Sequence, residues 1–266
     1  MARRASPTRL KPPFLRRALF KRPDSANADA YPWTLPLFRR GSLDIAFEKP
    51  VTVFVGDNGS GKSTVLEAIA AKCGFSLQSG SRDHAAWFAG KERDDPLQSA
   101  LTLSLLPKVT QGFFFRAESV FNFARRIDTS DDPLHGPVWD QYGGRPLLEH
   151  SHGEGFFRIF ANRFARGGFF VLDEPESALI PQRQLAFLRL IKAGVDSGRS
   201  QFVIATHSPI IMSYPGADVI EINAGRLARI APSESGSYRL LQSFFMNPSR
   251  VVEEALAFRL EAENDE

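Results

Sequence analysis

The sequence predicts an α/β fold built on a mostly parallel central sheet. Three observations lead to it. Apolar runs of strand length, "VTVFV", "FFVL" and "FVIA", alternate with longer helix-patterned stretches. These runs are apolar at nearly every position, as strands covered on both faces are. Each ends in a polar or glycine-rich turn, where an open parallel sheet gathers its functional groups.

Bulk composition is that of a globular chain, with 266 residues, 43% hydrophobic and 24% charged. A single cysteine, Cys73, excludes a disulfide within the chain and points to a reducing compartment, the cytoplasm. No apolar run approaches the ~18 residues of a membrane span. Net charge is +3, but Arg3, Arg4, Arg9, Lys11, Arg16, Arg17, Lys21 and Arg22 crowd the first 22 residues without one acid. The expectation is a basic, disordered arm over residues 1–30, and deletion of residues 1–25 should leave activity intact. Contact with nucleic acid or anionic lipid and a mitochondrial transit peptide stay open; no apolar core of a secretory signal follows.

Each element can be justified in order. "YPW" and "LPLF" at 31–38 break regular structure. "SLDIAFEKPVTVFVG" reads as two strands with a Lys-Pro turn, and "KSTVLEAIAAKCG" as a helix ending at Gly74. Residues 75–112 mix a charged loop, "SRDHAAWFAGKERDDP", with the apolar "LQSALTLSLLP". "GFFFRAES" is strand-like and "VFNFARRI" helical. Residues 128–148 are rich in Asp, Gly and Pro, a loop or subdomain edge. Phe156, Phe157, Phe160 and Phe164 form a helical stripe. "GFFVLDEP" is a buried strand, "PQRQLAFLRLIKAG" a helix, "SQFVIATHSP" a second buried strand and "ADVIEINAGRLARI" a hairpin. "RVVEEALAFRLEAENDE" is a charged terminal helix. No internal repeat or heptad run is present.

The stretch "GDNGSGKST" at 56–64 satisfies G-x-x-x-x-G-K-[ST]. Gly56, Gly59 and Gly61 let the backbone N–H groups of Asp57, Asn58, Ser60 and their neighbours turn inward around a phosphate. The helix that follows adds its N-terminal dipole. Lys62 is placed to reach the β- and γ-phosphates, Ser63 to ligate Mg²⁺, and Thr64 closes the loop. A strand immediately before and a helix immediately after separate this stretch from an ordinary glycine-rich turn.

Two carboxylates, Asp173 and Glu174, end the buried run "FFVLDEP". Asp173 is expected to hold Mg²⁺ directly or through water, and Glu174 to polarise an attacking water. Two adjacent acids after four large apolar residues exceed what a helix cap needs. His207, after "FVIAT", falls at another strand end on the same rim, in reach of a γ-phosphate and the attacking water.

One stretch, "HSHGE" at 150–154, resists a local explanation. Its two histidines suggest a metal, but no cysteine or third ligand is clustered with them. The order of phosphate loop, this stretch, carboxylate pair and strand-end histidine resembles the ABC-type ATPase family. That family's signature, "LSGGQ", sits just upstream of the carboxylate strand. Ser151 and Gly153 match it, Glu154 stands last, and His150 and His152 depart. "EPESAL" resembles the family D-loop "EPTSALD", with Glu176 for Thr and Ile180 for the terminal Asp.

The resemblance implies a P-loop NTPase with a mostly parallel central sheet, an antiparallel N-terminal β part and an inserted helical subdomain. The domain would span 31–240, its helical subdomain about residues 75–165, with an acidic helix over 241–266. It also implies that Ser151 and Gly153 bind the γ-phosphate of ATP held by a second copy, in an ATP-dependent head-to-tail homodimer. The family places a Gln between loop and signature; Glu118 is the expected substitute and third metal residue, with Gln111 the alternative. Phe38, Arg39 and Arg40 stand where an adenine-stacking residue is expected.

"LDEPESAL" with "THSP" looks most like small soluble ATPases labelled AAA family, related to the OLD, RecF and SMC-like heads. Eighty-five residues between Thr64 and His150 leave no room for long coiled-coil arms, and the 36 after Ile230 none for an appended nuclease domain. The leading expectation is an ATP-hydrolysing switch acting on a partner macromolecule, a protein or DNA, in DNA maintenance or defence. The alternative is the nucleotide-binding subunit of an ABC transporter. A small-molecule kinase would lack the signature and the D-loop.

Overall fold

The computed structural model describes residues 10–81, 96–106, 111–132, 136–142, 144–150 and 152–257. Its first strand, β1 (Leu15–Lys21), lies inside the expected arm. There follow β2 (Ser42–Ala46), β3 (Val51–Gly56), α1 (Lys62–Lys72), α2 (Pro96–Ala100), β4 (Leu101–Leu105), β5 (Gly112–Arg116) and α3 (Val120–Asp128). Two-residue strands β6 (Asp131–Asp132) and β7 (Gly136–Pro137) precede α4 (His152–Ala165), β8 (Gly168–Asp173) and α5 (Pro181–Asp196). The chain continues through β9 (Ser200–Ala205), α6 (Pro209–Met212), β10 (Asp218–Asn223), β11 (Arg226–Arg229), α7 (Gly236–Met246) and α8 (Pro248–Ala257).

Six strands form the central sheet in the order β11-β10-β3-β9-β8-β5, all parallel except the β10–β11 hairpin. A second, antiparallel sheet has the order β2-β1-β4. The two strands read around the Lys-Pro turn therefore belong to different sheets. Side-chain alternation splits the core between the two faces of the central sheet. Val51, Val53 and Val55 of β3, with Phe170, Leu172, Phe202 and Ile204, pack against α3, α4 and α5. Phe54, Val171, Val203 and Ala205 face α1 and the antiparallel sheet. Phe160, Phe164, Phe187, Phe170 and Phe202 form one aromatic stack, with ring centroids from 4.8 to 5.8 Å apart along their contacts.

Three expectations change. The arm over residues 1–30 gives way to β1, the central strand of its sheet. Leu15, Ala18 and Phe20 are buried while the basic residues face outward, an alternation that charge density hid in the sequence. Gln201, wholly buried in β9, ties β1 down. Its Oε1 accepts from the N–H groups of Phe14 and Leu15 at 2.7 and 2.8 Å, and its Nε2 donates to the Leu15 carbonyl at 2.9 Å. Arg3, Arg4 and Arg9 lie outside the described residues. The segment 75–165 is not purely helical, because it supplies β4 to the antiparallel sheet and β5 to the central one. The single terminal helix is two, α7 and α8, divided at Asn247, whose successor Pro248 lacks the N–H to continue a helix. Among the described residues, no helix is long and apolar enough to cross a membrane.

Candidate functional site

Parallel strands bring β3, β8, β9 and β5 to one rim at their carboxyl ends. Register fixes the neighbours there: Phe54 and Asp173 both lie opposite Ala205, and Arg116 lies opposite Asp173. The loops that leave these strands therefore meet one another.

The loop after β3 is a glycine cradle. Gly56, Gly59 and Gly61 have φ of 142°, 74° and 103°, in the region that side chains rarely adopt. At Gly56 the requirement is also steric, since a Cβ would sit 2.3 Å from the Ile222 carbonyl oxygen. Asp57, Asn58 and Gly59 are exposed at the mouth. Lys62, 5% exposed, donates to the carbonyls of Gly56 and Asp57, both at 2.9 Å. Burial pushes its pKa down, against the pull of Glu174, Asp173, Asp57 and Glu176. Ser60 Oγ is buried and has no hydrogen-bond partner among the described residues, a polar atom that a bound anion would satisfy.

Ser63 and Asp173 meet directly, Ser63 Oγ donating to Asp173 Oδ1 at 3.1 Å. Asp173 is 4% exposed, and burial raises its pKa to about 6, with the Ser63 bond and the Arg116 charge acting the other way. A carboxylate whose charge burial disfavours suits a site where a cation completes the charge balance. A hydroxyl paired with a carboxylate is an all-oxygen donor set of the kind a hard divalent cation takes.

Glu174 begins the turn Pro175–Ala178 with φ 49° and ψ 54°, left-handed and uncommon for a residue with a side chain. Its N–H donates to the Ala205 carbonyl at 3.0 Å. His207 Nε2 lies 3.9 Å from Glu174 Oε1, is buried and has no hydrogen-bond partner among the described residues. The structure thus brings together Gly56, Lys62, Ser63, Asp173, Glu174 and His207. Thr64 adds Oγ1, 3.3 Å from the hydroxyl of Tyr31.

Other expected residues fall elsewhere. Glu118 is 79% exposed and paired with Arg116 at 3.0 Å, with no bond to Ser63 or Asp173 among those the structure describes. The guanidinium that faces Asp173 claims it. Gln111 precedes β5, at the opposite end of the sheet, where its carbonyl accepts from Phe169 N–H. Phe38 is 2% exposed and packed edge-on against Phe20 and Trp33, so it offers no face to a base. Arg39 and Arg40 are exposed, Arg39 donating to the Thr34 carbonyl. Ser151 lies outside the described residues. Gly153 is the second residue of α4, and Glu154 is 3.7 Å from Arg158 one turn on. Gly155 packs so closely that a Cβ would meet the Leu147 carbonyl oxygen at 2.9 Å.

Sequence reading missed three residues. Tyr31, 63% exposed beside the cradle, was hidden in a segment read only as a breaker. Arg116 carried no motif. Glu176, whose Oε1 accepts from the N–H groups of His207 and Ser208, was noted only as a departure from the D-loop.

Comparison with known proteins falls on the same segments. Residues 37–105 match a family model described as "AAA domain". Residues 151–213 match one described as "AAA domain, putative AbiEii toxin, Type IV TA system". The hemin import ATP-binding protein HmuV of Rhodococcus jostii is 28% identical over 82% of this chain and 77% of its own length. The OLD nuclease of Thermus scotoductus is 37% identical over 75 residues, 28% of this chain and 13% of that protein. These likenesses mark an ATPase similar to the ABC-type P-loop family. The fold agrees: the SmcHead solved with the C-winged helix domain of ScpA superposes with a TM-score of 0.51, at 14% identity, over 82% of this ATPase and 98% of that chain. The motifs of the ATPase lie within the two matched segments, from Gly56 to Thr64 and from Gly153 to His207.

Proposed function

We propose that two copies of the ATPase close head to tail around ATP and drive a conformational change in a partner macromolecule. The Ser63–Asp173 pair at the foot of the glycine cradle carries this reading, because it joins the phosphate loop to the carboxylate strand. The backbone from Gly56 to Thr64, with Lys62, holds the polyphosphate. The ring of Tyr31 stacks on the base. Ser63 and Asp173 would hold Mg²⁺, which when bound supplies positive charge to the phosphates. Glu174 accepts a proton from the attacking water, and His207 holds that water through Nε2. Arg116, tied to Glu67 at 2.6 Å, offsets the acid cluster without joining the chemistry.

Ser151 and Gly153 are read as the anion site offered to the second copy; Gly153 lies in the first turn of a 14-residue helix whose dipole favours negative charge. Likeness of residues 37–105 and 151–213 to AAA domains, and of a 75-residue stretch to an OLD nuclease, supports a role in DNA maintenance or defence. A second reading, the nucleotide-binding subunit of an importer, is supported by the length over which the hemin import proteins align.

Size-exclusion with light scattering on Glu174→Gln, with and without Mg-ATP, tests the dimer. A dimer only with Mg-ATP is the expected result. A monomer in both conditions would remove the trans role of Ser151. Stimulation of turnover by double-stranded DNA favours the first partner class; co-purification with a membrane permease favours the second.

A further inference from the structure

The turn after β8 and the loop after β9 meet through one side chain. Glu176 Oε1 accepts from the N–H of His207 at 2.7 Å and of Ser208 at 3.2 Å. Those amides lead into α6, where Ser208 is the N-cap, its Oγ accepting from Ile210 and Ile211, both at 3.2 Å. Ser208 Oγ in turn donates to Gln184 Oε1 at 2.5 Å, and Gln184 Nε2 to the Leu179 carbonyl at 2.8 Å. The turn, the start of α5 and the start of α6 are thus closed into one network. A carboxylate is a costly choice here. Burial disfavours its charge and the Glu174 charge adds to that, so its pKa is raised. A threonine, as in the D-loop this stretch resembles, has a shorter side chain and offers one oxygen in place of two.

We propose that Glu176 is a positioning residue for hydrolysis: by holding the amides of His207 and Ser208 it sets the His207 ring against Glu174. The proposal rests on the reading above that His207 and Glu174 serve the reaction. His207 Nε2 stands 3.9 Å from Glu174 Oε1, beyond hydrogen-bond length, so the backbone, and not a bond between the two side chains, fixes the ring. The same carboxylate makes that position depend on the Pro175–Ala178 turn. Ser177 is exposed and Ile180 is 64% exposed, so a surface pressed against the turn acts on His207 through Glu176.

The test compares ATP turnover by the full-length chain in Glu176→Ala, Glu176→Gln, His207→Ala and the Glu176→Ala/His207→Ala double variant. Misplacing a reacting group by ~1 Å costs ~10² in rate, so Glu176→Ala should lower kcat ~30–100-fold while KM for ATP stays within about threefold. The amide oxygen of Glu176→Gln accepts the same two N–H groups and should restore kcat to within about threefold. The double variant should be no slower than the slower single one. A residue that only supported the fold would lower the folded fraction and leave kcat per folded site unchanged, which overturns the proposal. Losses that multiply in the double variant, or a Glu176→Gln as slow as Glu176→Ala, overturn it as well. If Glu176→Ala does not fold, Glu176→Asp, with its carboxylate drawn back by one carbon, is read by the same criteria. Wild-type turnover in His207→Ala overturns the assignment of His207 and the proposal together. Loss in His207→Ala without loss in Glu176→Ala overturns the proposal alone.

Discussion

Ser63 Oγ donates to Asp173 Oδ1 at 3.1 Å, across 110 positions of sequence. That bond holds an acid where it is least stable as an anion. The pKa of Asp173 rises from an ordinary 3.8 to about 6, chiefly through burial. The folded chain binds this proton more tightly than the unfolded one, so ionisation costs stability. The cost is absent below about pH 4, grows as pH rises towards 6 and is complete above it. A tenfold difference in proton affinity is worth about 1.4 kcal/mol, giving a cost of about 2–3 kcal/mol at neutral pH. Asp173→Asn should therefore raise the melting temperature of the nucleotide-free protein by several degrees near pH 8 and little near pH 4. Mg-dependent turnover should vanish. Equal changes in melting temperature at both pH values, read by calorimetry, would show that the gain does not come from ionisation.

Glu174 is strained as well as placed for chemistry. Its left-handed backbone, φ 49° and ψ 54°, costs ~1–3 kcal/mol for a residue with a Cβ. Glu174→Gln should lose ~10²–10⁴ in rate and keep ATP binding. Glu174→Gly should be as inactive, yet stabilised by ~1 kcal/mol because glycine adopts this region freely. Urea titration of the two variants separates the effects. A glycine variant no more stable than the glutamine one would mean that the strain is relieved elsewhere.

The fold was legible where a run of residues carries one period or one motif. "VTVFV" before "GDNGSGKST" could only be a strand feeding a phosphate loop, and "FFVLDEP" announced its carboxylates. β1 was not legible. Arg16, Arg17, Lys21 and Arg22 dominate its composition, while the alternation of Leu15, Ala18 and Phe20 is too short and too charged to stand out. The partner that holds β1, Gln201, is 186 residues from Leu15 and looks like an ordinary polar residue. Glu118 misled because chain order placed it on the rim, whereas Arg116, two residues earlier, faces Asp173 and draws the Glu118 carboxylate to itself. Tyr31 and Glu176 make contacts with Thr64 and His207 that no local pattern encodes.

Tyr31 gives a prediction that separates base from phosphate. Its ring is exposed at the cradle and its hydroxyl is 3.3 Å from Thr64 Oγ1. Base stacking on an aromatic ring is worth ~1–3 kcal/mol. Tyr31→Ala should raise the Kd for ATP ~5–150-fold and leave that for tripolyphosphate unchanged, while Tyr31→Phe keeps both near wild type. Equal weakening of ATP and tripolyphosphate would assign Tyr31 to loop support through Thr64.

Truncation tests whether the N-terminal segment is tail or framework. A chain starting at residue 10 keeps the β1 pairings and the Gln201 bonds, and should fold and hydrolyse ATP. One starting at residue 26 removes the central strand of the antiparallel sheet. It leaves β2 and β4 without a shared partner, bares the apolar face beneath Phe20 and strips buried Gln201 of its three hydrogen bonds. An unsatisfied buried amide costs ~1–3 kcal/mol and the loss of one large buried side chain ~2–5 kcal/mol, together a large share of the ~5–15 kcal/mol that holds an ordinary domain. The shorter chain should be insoluble or molten, with no cooperative melt by circular dichroism. A cooperative melt with wild-type turnover would mean that β1 rides on the ATPase without supporting it. A protein that still folds but loses turnover would point to β9, because Gln201 lies on the strand that leads directly to His207.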